Sequence, residues 1–225
     1  MPINIAIDGP SGSGKSTQAK ELAKKLSYIY VDTGALYRAI GFYVMRKGVD
    51  TKDEEAVKSL LPGITVLLKY VDGVQRVILN DEDVSDLIRT QPVSMAASDV
   101  SRIPEVRAFL LDLQREIAST NNVIMDGRDV GTVILPNAQV KIFLTASPED
   151  RAMRRFMELK AAGKEDDDAY ERILSEIVER DKNDTNRQIA PLKQADDAVL
   201  LDNTGYEPEE TMDALLNIIR SKLNV

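Results

Sequence analysis

Short apolar runs alternate along the chain with longer stretches in which apolar residues recur every three or four positions. The short runs are rich in Val and Ile, as expected for parallel strands buried on both faces. They predict strands over Ile3–Asp8, Tyr28–Asp32, Val123–Asp126, Val140–Ala146 and Ala198–Asp202. The longer stretches predict helices over Lys15–Leu26, Ala35–Lys47, Pro104–Ser119, Pro148–Ala162, Tyr170–Asp181 and Pro208–Leu223. This alternation favours an α/β fold in a single domain, 1–225.

Two segments interrupt the alternation. Between Ile64 and Val84, two apolar runs flank the turn Val71-Asp72-Gly73-Val74, which predicts a small antiparallel insert. The second segment, from Ala161 to Asp168, is polar and joins two predicted helices. Its composition is typical of a solvated loop, and the alternative hypothesis is a mobile lid that is cut by proteases only without ligands.

A phosphate-binding loop follows the first strand directly. Gly9-Pro10-Ser11-Gly12-Ser13-Gly14-Lys15-Ser16 fits the pattern G-x-x-x-x-G-K-[ST], with a strand before it and a helix after it. Glycines let successive N–H groups point at one anion, and the helix N-terminus adds partial positive charge. Lys15 is expected to reach the β- and γ-phosphates, and the Ser16 hydroxyl to ligate Mg²⁺. The loop, with the adjoining Thr17, therefore predicts a nucleoside triphosphate site.

Composition narrows the chemistry that such a site performs. The chain has no cysteine and no histidine, which excludes thiolate nucleophiles, disulfides and the usual imidazole base. The remaining carboxylates, lysines, arginines and hydroxyls suit Mg²⁺-assisted phosphoryl transfer, which depends on positioning and charge stabilisation. The net charge of −8 argues against a nucleic-acid partner. Without a basic leader or an apolar span of about 20 residues, we expect a cytoplasmic protein with no membrane segment.

Arginines and carboxylates gather where predicted strands and helices end. The segments are Asp32–Arg38, Asp126–Thr132 and Glu179–Arg187. Because ligands of parallel sheets bind at the carboxyl ends of the strands, the first two segments face the same crevice as the phosphate loop. Thr33 is also placed to cap the helix that follows it. Composition alone leaves open whether the third segment is a binding site or a solvated face.

Together these segments resemble the bacterial cytidylate kinases, a family of P-loop nucleoside monophosphate kinases. The similarity is carried by residues 7–16, 30–38, 126–132 and 180–187, and it extends from the first strand to the last helix. It implies a five-stranded parallel sheet flanked by helices, with a monophosphate-binding region at 33–98 that includes the insert at about 64–84. It also implies a short lid at about 152–170, and the reaction ATP + CMP (or dCMP) ⇌ ADP + CDP (or dCDP) with Mg²⁺.

The resemblance also implies roles for individual residues. Arg38, Arg128 and Arg187 would hold the acceptor phosphate, and Lys15, Arg128 and Arg187 would be the catalytic residues. Thr33, Arg107 and Asp129 would face the cytosine, and Ser98, Arg180 and Asp184 would lie near the ribose. Arg151, Arg154 and Arg155, on the helix that enters the lid, are candidates for closing over the transferred phosphoryl group; the alternative is a solvated basic stripe.

Other functions remain open from sequence alone. A small-metabolite kinase of the same architecture would need a base for its hydroxyl acceptor and fewer arginines. A regulatory nucleotide switch usually carries guanine-reading motifs, and the chain has no N-K-x-D segment. A nucleic-acid motor is disfavoured by the acidic charge. We expect a monomer that binds ATP and CMP or dCMP.

Overall fold

Five parallel strands form the centre of the structure, a computed structural model that describes residues 1–163 and 169–224. The strands of the described residues are β1 (Asn4–Asp8), β2 (Ile29–Asp32), β3 (Val66–Val71), β4 (Val74–Leu79), β5 (Glu82–Asp83), β6 (Val123–Gly127), β7 (Val140–Thr145) and β8 (Val199–Asp202). The central sheet has the order β2-β6-β1-β7-β8, and all four of its pairings are parallel. β1 lies in the middle, so the loop after it opens at the centre of the carboxyl edge.

Helices cover both faces of this sheet. They are α1 (Lys15–Leu26), α2 (Thr33–Arg46), α3 (Glu54–Leu60), α4 (Gln91–Val100), α5 (Pro104–Thr120), α6 (Pro148–Ala161), α7 (Tyr170–Asn186) and α8 (Pro208–Leu223). On one face, Leu22 of α1 and Leu215 of α8 pack with Ile5 and Ile142 in one buried core. A second core forms where α2 and α4 pack together, and a third lies between β6 and the turn that follows it. The central strands β1, β6 and β7 are buried along most of their length, which explains their nearly continuous apolar sequences.

The insert is a three-stranded antiparallel sheet in the order β3-β4-β5. Its Asp72-Gly73 turn has positive φ at both residues, the conformation that an Asp-Gly hairpin favours. The insert is tied to the edge of the central sheet, since the Tyr70 hydroxyl donates to the Tyr30 carbonyl and Asp32 N–H donates to the Gln75 side chain. The insert therefore lies beside the carboxyl end of β2.

Most predicted elements are confirmed, with four differences. α3 and α4 were not predicted. α7 continues to Asn186, so the charged run that begins at Glu179 is helical, whereas the prediction ended the helix at Asp181. The prediction that Thr33 caps α2 is wrong: Thr33 is its first residue, and the Asp32 carboxylate accepts from Ala35 N–H as the cap. The predicted lid loop at 164–168 lies outside the described residues.

In α6 the predicted start is confirmed, because Ser147 accepts from Asp150 N–H and Pro148 occupies the first turn. Within the described ranges, we find no helix that combines the length and the apolar character needed to cross a membrane.

Candidate active site

Two clefts meet at the phosphate loop. The first cleft, of about 600 Å³, extends from the loop past the ends of β2 and β6 to α4, α5 and α7. The second cleft, of about 810 Å³, lies on the other side of the loop, between α6 and the start of α8. Gly12, Lys15 and Ser16 line both clefts, and Arg155 of α6 also borders both. The geometry therefore places one phosphate loop between two binding spaces.

The first cleft contains every residue that the sequence predicted for an acceptor. Nine side chains from five parts of the chain converge there: Thr33, Arg38, Ser98, Arg107, Arg128, Asp129, Arg180, Asp184 and Arg187. The extended α7 explains part of this arrangement, since Arg180, Asp184 and Arg187 are spaced i, i+4, i+7 and fall on one face. The cleft thus joins the end of α7 to the carboxyl edge of the sheet.

Each arginine proposed for the acceptor phosphate is held by a carboxylate. Arg38 Nη2 lies 2.8 Å from Asp32 Oδ2, and Arg128 Nε lies 2.8 Å from Asp184 Oδ2. Arg187 donates through Nε to the Ala190 carbonyl at 2.5 Å, and its Nη2 lies 3.4 Å from Asp129. A guanidinium has five N–H donors, so each of these side chains is fixed while donors remain for an anion.

Positive charge is concentrated at the junction of the clefts. Lys15 is buried and donates to the Pro10 carbonyl at 2.9 Å. Burial, and then the nearby Arg128 charge, lower the pKa of Lys15 to about 7. Burial likewise lowers the pKa of Arg180 to about 10, with Arg128 contributing. A bound anion would stabilise the charged forms of Lys15 and Arg180, so this part of the site is suited to binding phosphate groups.

Asp126 lies beneath the phosphate loop and accepts two hydroxyl hydrogen bonds. Ser16 Oγ donates to Oδ2 at 2.6 Å, and the Tyr30 hydroxyl donates to Oδ1 at 2.9 Å. Burial, followed by the charge of Asp32, raises the pKa of Asp126. This pairing of a hydroxyl and a carboxylate provides hard oxygen ligands beside the phosphate loop.

At the far end of the first cleft, Asp129 lies between two arginines. Its carboxylate is paired with Arg107, which also donates to the Ser101 carbonyl, and with Arg187. Thr33 donates its hydroxyl hydrogen to the Asp126 carbonyl at 2.8 Å, so the hydroxyl turns only its lone pairs to other partners. Both Asp129 and Thr33 are therefore hydrogen-bond acceptors for any ligand there.

The second cleft borders the residues of α6 that were candidates for the lid. Arg154 donates to the Asn203 carbonyl at 2.7 Å and pairs with Asp150, and Arg155 pairs with Glu158. Arg151 is different, because it is buried and donates to the Ser11 carbonyl at 2.8 Å and to both oxygens of Asp181. The structure thus gives Arg151 the role of joining α6, α7 and the phosphate loop.

Three predicted loop residues do not line either cleft. Gly9 has φ +154°, and a Cβ there would lie 1.9 Å from the Leu144 carbonyl oxygen, so the loop needs glycine to pass β7. Pro10 supplies the carbonyl that holds Lys15, and Ser13 is buried, its carbonyl accepting from Asn203. The other predicted loop residues, Ser11, Gly12, Gly14, Lys15, Ser16 and Thr17, line one or both clefts.

Sequence reasoning missed several residues of the site. Asp126 was included only as the first residue of the candidate segment Asp126–Thr132, and its hydrogen bonds with Ser16 and Tyr30 were not predicted. Arg89 pairs with Asp32 at 3.0 Å and lines the first cleft, but it lies before the unpredicted α4 in a segment without a local motif. Asn203 and Tyr206, which line the second cleft, follow β8 and carry no motif either.

Comparison with known families decides between the alternatives. The family model described as "Cytidylate kinase" matches residues 5–221 of the chain. The chain belongs to the cytidylate kinase family. Two curated relatives carry the same name. The protein from Caldicellulosiruptor saccharolyticus is 50% identical over 216 residues, covering 96% of this chain and 95% of its own. That from Carboxydothermus hydrogenoformans is 49% identical over 223 residues, covering 99% and 100%.

Membership of the cytidylate kinase family confirms the predicted resemblance and a nucleoside monophosphate kinase activity. Family membership does not favour the alternatives of a small-metabolite kinase, a regulatory nucleotide switch or a nucleic-acid motor. Among solved structures, an uncharacterized protein from Eubacterium ventriosum has a TM-score of 0.54 at 15% identity, covering 98% of this chain and 99% of its own. That likeness concerns the fold alone.

The lowered pKa of Lys15 predicts proton uptake when a triphosphate binds. At pH 8 the free protein holds Lys15 mostly neutral, because its pKa is about 7. The negative phosphates favour the ammonium form and raise this pKa, so binding should draw close to one proton from solution. Calorimetric titration with ATP at pH 8, in buffers of different ionisation enthalpy, measures that uptake.

Lys15→Arg is the matched control, because arginine stays charged throughout. We expect proton uptake to fall close to zero in this variant. Equal uptake by the variant and the wild type would mean that the proton goes to another group.

Proposed function

We propose that the protein transfers the γ-phosphoryl group of ATP to CMP or dCMP, giving ADP and CDP or dCDP. The observation that carries the proposal is the pair of clefts that share Lys15 and Ser16. The second cleft holds ATP, and the first cleft, with its nine convergent side chains, holds the nucleoside monophosphate. The γ-phosphate and the acceptor phosphate then meet at the loop.

Arg38, Arg128 and Arg187 bind the acceptor phosphate. Two anionic substrates repel each other, and the arginines offset that repulsion while paired N–H groups fix the angle of attack. Their carboxylate partners hold the guanidinium groups in place before the substrate arrives, which lowers the entropy lost on binding.

Arg180, Asp184 and Ser98 lie along the ribose. Arg180 Nε is buried and, among the described residues, has no hydrogen-bond partner, so it has a donor to offer. Asp184 accepts from Arg128 and so links the ribose contact to the phosphate contact. These three side chains bind the sugar of either CMP or dCMP.

Thr33, Arg107 and Asp129 select the base. Cytosine presents an exocyclic amino donor where uracil presents a carbonyl acceptor. Thr33 and Asp129 offer only lone pairs in this arrangement, which suits the amino group and repels the uracil oxygen. Arg107 can only donate, and it suits the acceptor atoms that both pyrimidines share.

Mg²⁺ would be held by Ser16 and Asp126. The described residues contain no group of three or more acidic side chains placed to hold a metal, so phosphate oxygens and water would complete the coordination, as is usual for Mg²⁺. When bound, the ion neutralises charge on the phosphates.

Lys15, Arg128 and Arg187 stabilise the transfer itself. Charge in the loose, in-line transition state spreads over the equatorial oxygens of the moving phosphoryl group. Lys15 stands between the clefts and follows that charge, while Arg128 and Arg187 hold the attacking phosphate. A phosphate oxygen is already a nucleophile, so the chain needs no general base.

We further propose that the chain acts as one domain, 1–225, in a cytoplasmic monomer, with 33–98 binding the monophosphate. One chain supplies the lining of both clefts, which supports the monomer. Arg154 and Arg155 border the second cleft at the entrance to the lid, about 152–170, and contribute to closure over ATP.

The substrate test measures ADP release with ATP and Mg²⁺ against CMP, dCMP, UMP, AMP and GMP. We expect kcat/KM for CMP and dCMP to exceed the values for AMP and GMP by ~100-fold or more, because a purine leaves the buried polar groups of the first cleft unpaired. Preference for a neutral alcohol over CMP would support the metabolite kinase instead.

Arg128→Met should lower kcat/KM for CMP by ~10²–10³-fold, because the acceptor phosphate loses a positioned charge. The Kd for ATP should stay within about twofold, since the second cleft is intact. Arg220→Met, at an exposed position of α8, is the matched control and should leave both values unchanged. Wild-type kinetics of Arg128→Met with CMP would contradict the acceptor-phosphate assignment.

Asp129→Asn should reduce kcat/KM for CMP and narrow the CMP-to-UMP ratio by ~10-fold or more, because an amide can rotate to donate to the uracil carbonyl. Steady-state kinetics with both nucleotides measure the ratio. An equal proportional loss on the two bases would make Asp129 a structural residue.

A further inference from the structure

Asp8 is a buried carboxylate that lines neither cleft. It ends β1, directly before the phosphate loop, and its side chain is 5% exposed. Its two oxygens accept from Val130 N–H at 2.8 Å and from Gly131 N–H at 2.7 Å. Burial raises the pKa of Asp8 to about 7, because a buried position disfavours the charged carboxylate. The chemistry proposed above gives this group no task.

The two N–H groups belong to a helical turn, Val130–Ile134, that begins directly after Asp129. The first N–H groups of a helical turn have no partner within the turn, and the side chain of the preceding residue usually accepts from one of them. Asp129 occupies that preceding position and has an ideal residue type for the task. In the described structure, however, its side chain makes no capping hydrogen bond and pairs with Arg107 and Arg187 instead.

We propose that Asp8 is a positioning residue that caps this turn from a neighbouring strand and so keeps the Asp129 carboxylate free for the acceptor base. With the Val130 and Gly131 N–H groups taken by Asp8, Asp129 cannot gain these two donors by turning back onto its own helical turn. Without Asp8, two buried donors lie within reach of Asp129, and a carboxylate that satisfies them is withdrawn from the first cleft. The inference rests on the proposed function and assigns base selectivity partly to a residue that touches no substrate.

The test compares wild type, Asp8→Asn, Asp129→Asn and the double variant in kcat/KM for CMP and for UMP. An Asn at position 8 cannot accept from both N–H groups, because its Nδ2 is a donor. We expect Asp8→Asn to narrow the CMP-to-UMP ratio by ~10-fold. In the Asp129→Asn background, the same substitution should change the ratio by less than about twofold, because the carboxylate it acts through is gone.

Ile219→Ala, which removes a buried side chain of α8 from the core, serves as a control for lost stability and should keep the wild-type CMP-to-UMP ratio. If Asp8→Asn does not fold, Asp8→Ala replaces it, since it introduces no new donor. An unchanged ratio in the Asp8 variant, additive effects in the double variant, or equal narrowing in Ile219→Ala would overturn the inference. A wild type inactive on CMP would overturn the proposed function and the inference together, whereas an active wild type with an unchanged Asp8 variant overturns the inference alone.

Discussion

The parallel pairing of β1 with β6 is the constraint on which the site depends. Its register places Asp8 opposite Gly127, so two loops leave the middle of the sheet side by side. One loop carries Lys15 and Ser16, and the other carries Arg128 and Asp129. Neither loop has much freedom, because β1 is also paired with β7 and Gly9 passes within van der Waals distance of that strand. The proposed donor and acceptor sites are therefore adjacent because β1 and β6 are paired by hydrogen bonds.

Most cations that line the first cleft are also paired with a carboxylate. Asp32 holds Arg38 and Arg89, and Asp184 holds Arg128. Burial opposes the ionisation of Asp184, yet Arg128 outweighs that cost and lowers the pKa of the carboxyl. Lys15 and Arg180 differ, since the described hydrogen bond of Lys15 is to a carbonyl and Arg180 Nε has no hydrogen-bond partner among the described residues. Lys15, which lacks a carboxylate partner, is the residue that we propose to follow the transferred phosphoryl group.

Local patterns predicted the parts of the fold that local interactions determine. The strands are marked by apolar runs, the hairpin by its Asp-Gly turn, and the start of α6 by a capping serine. Each of these signals acts over a few positions. α4 was missed although its buried Val93, Ala96, Ala97 and Val100 have helical spacing, because small residues bury little apolar area. The end of α7 was misplaced because its charged residues face a polar cleft rather than a core. The hydrogen bonds of Asp8 and Asp126 could not be predicted from local patterns, since their partners lie about 100 positions away or more.

The continuity of α7 has a mechanical consequence. Its 17 residues make a rod of about 25 Å, with Tyr170 at one end and the residues proposed to bind the ribose and the acceptor phosphate at the other. A tilt at one end of a rigid rod displaces the other end, and Arg151 pins the rod to the phosphate loop near its acceptor end through Asp181. The Arg151–Asp181 contact is therefore the point about which α7 would pivot. Under the proposed function, the residues near the ribose at one end of α7 and Tyr170 at the other end would then be displaced together.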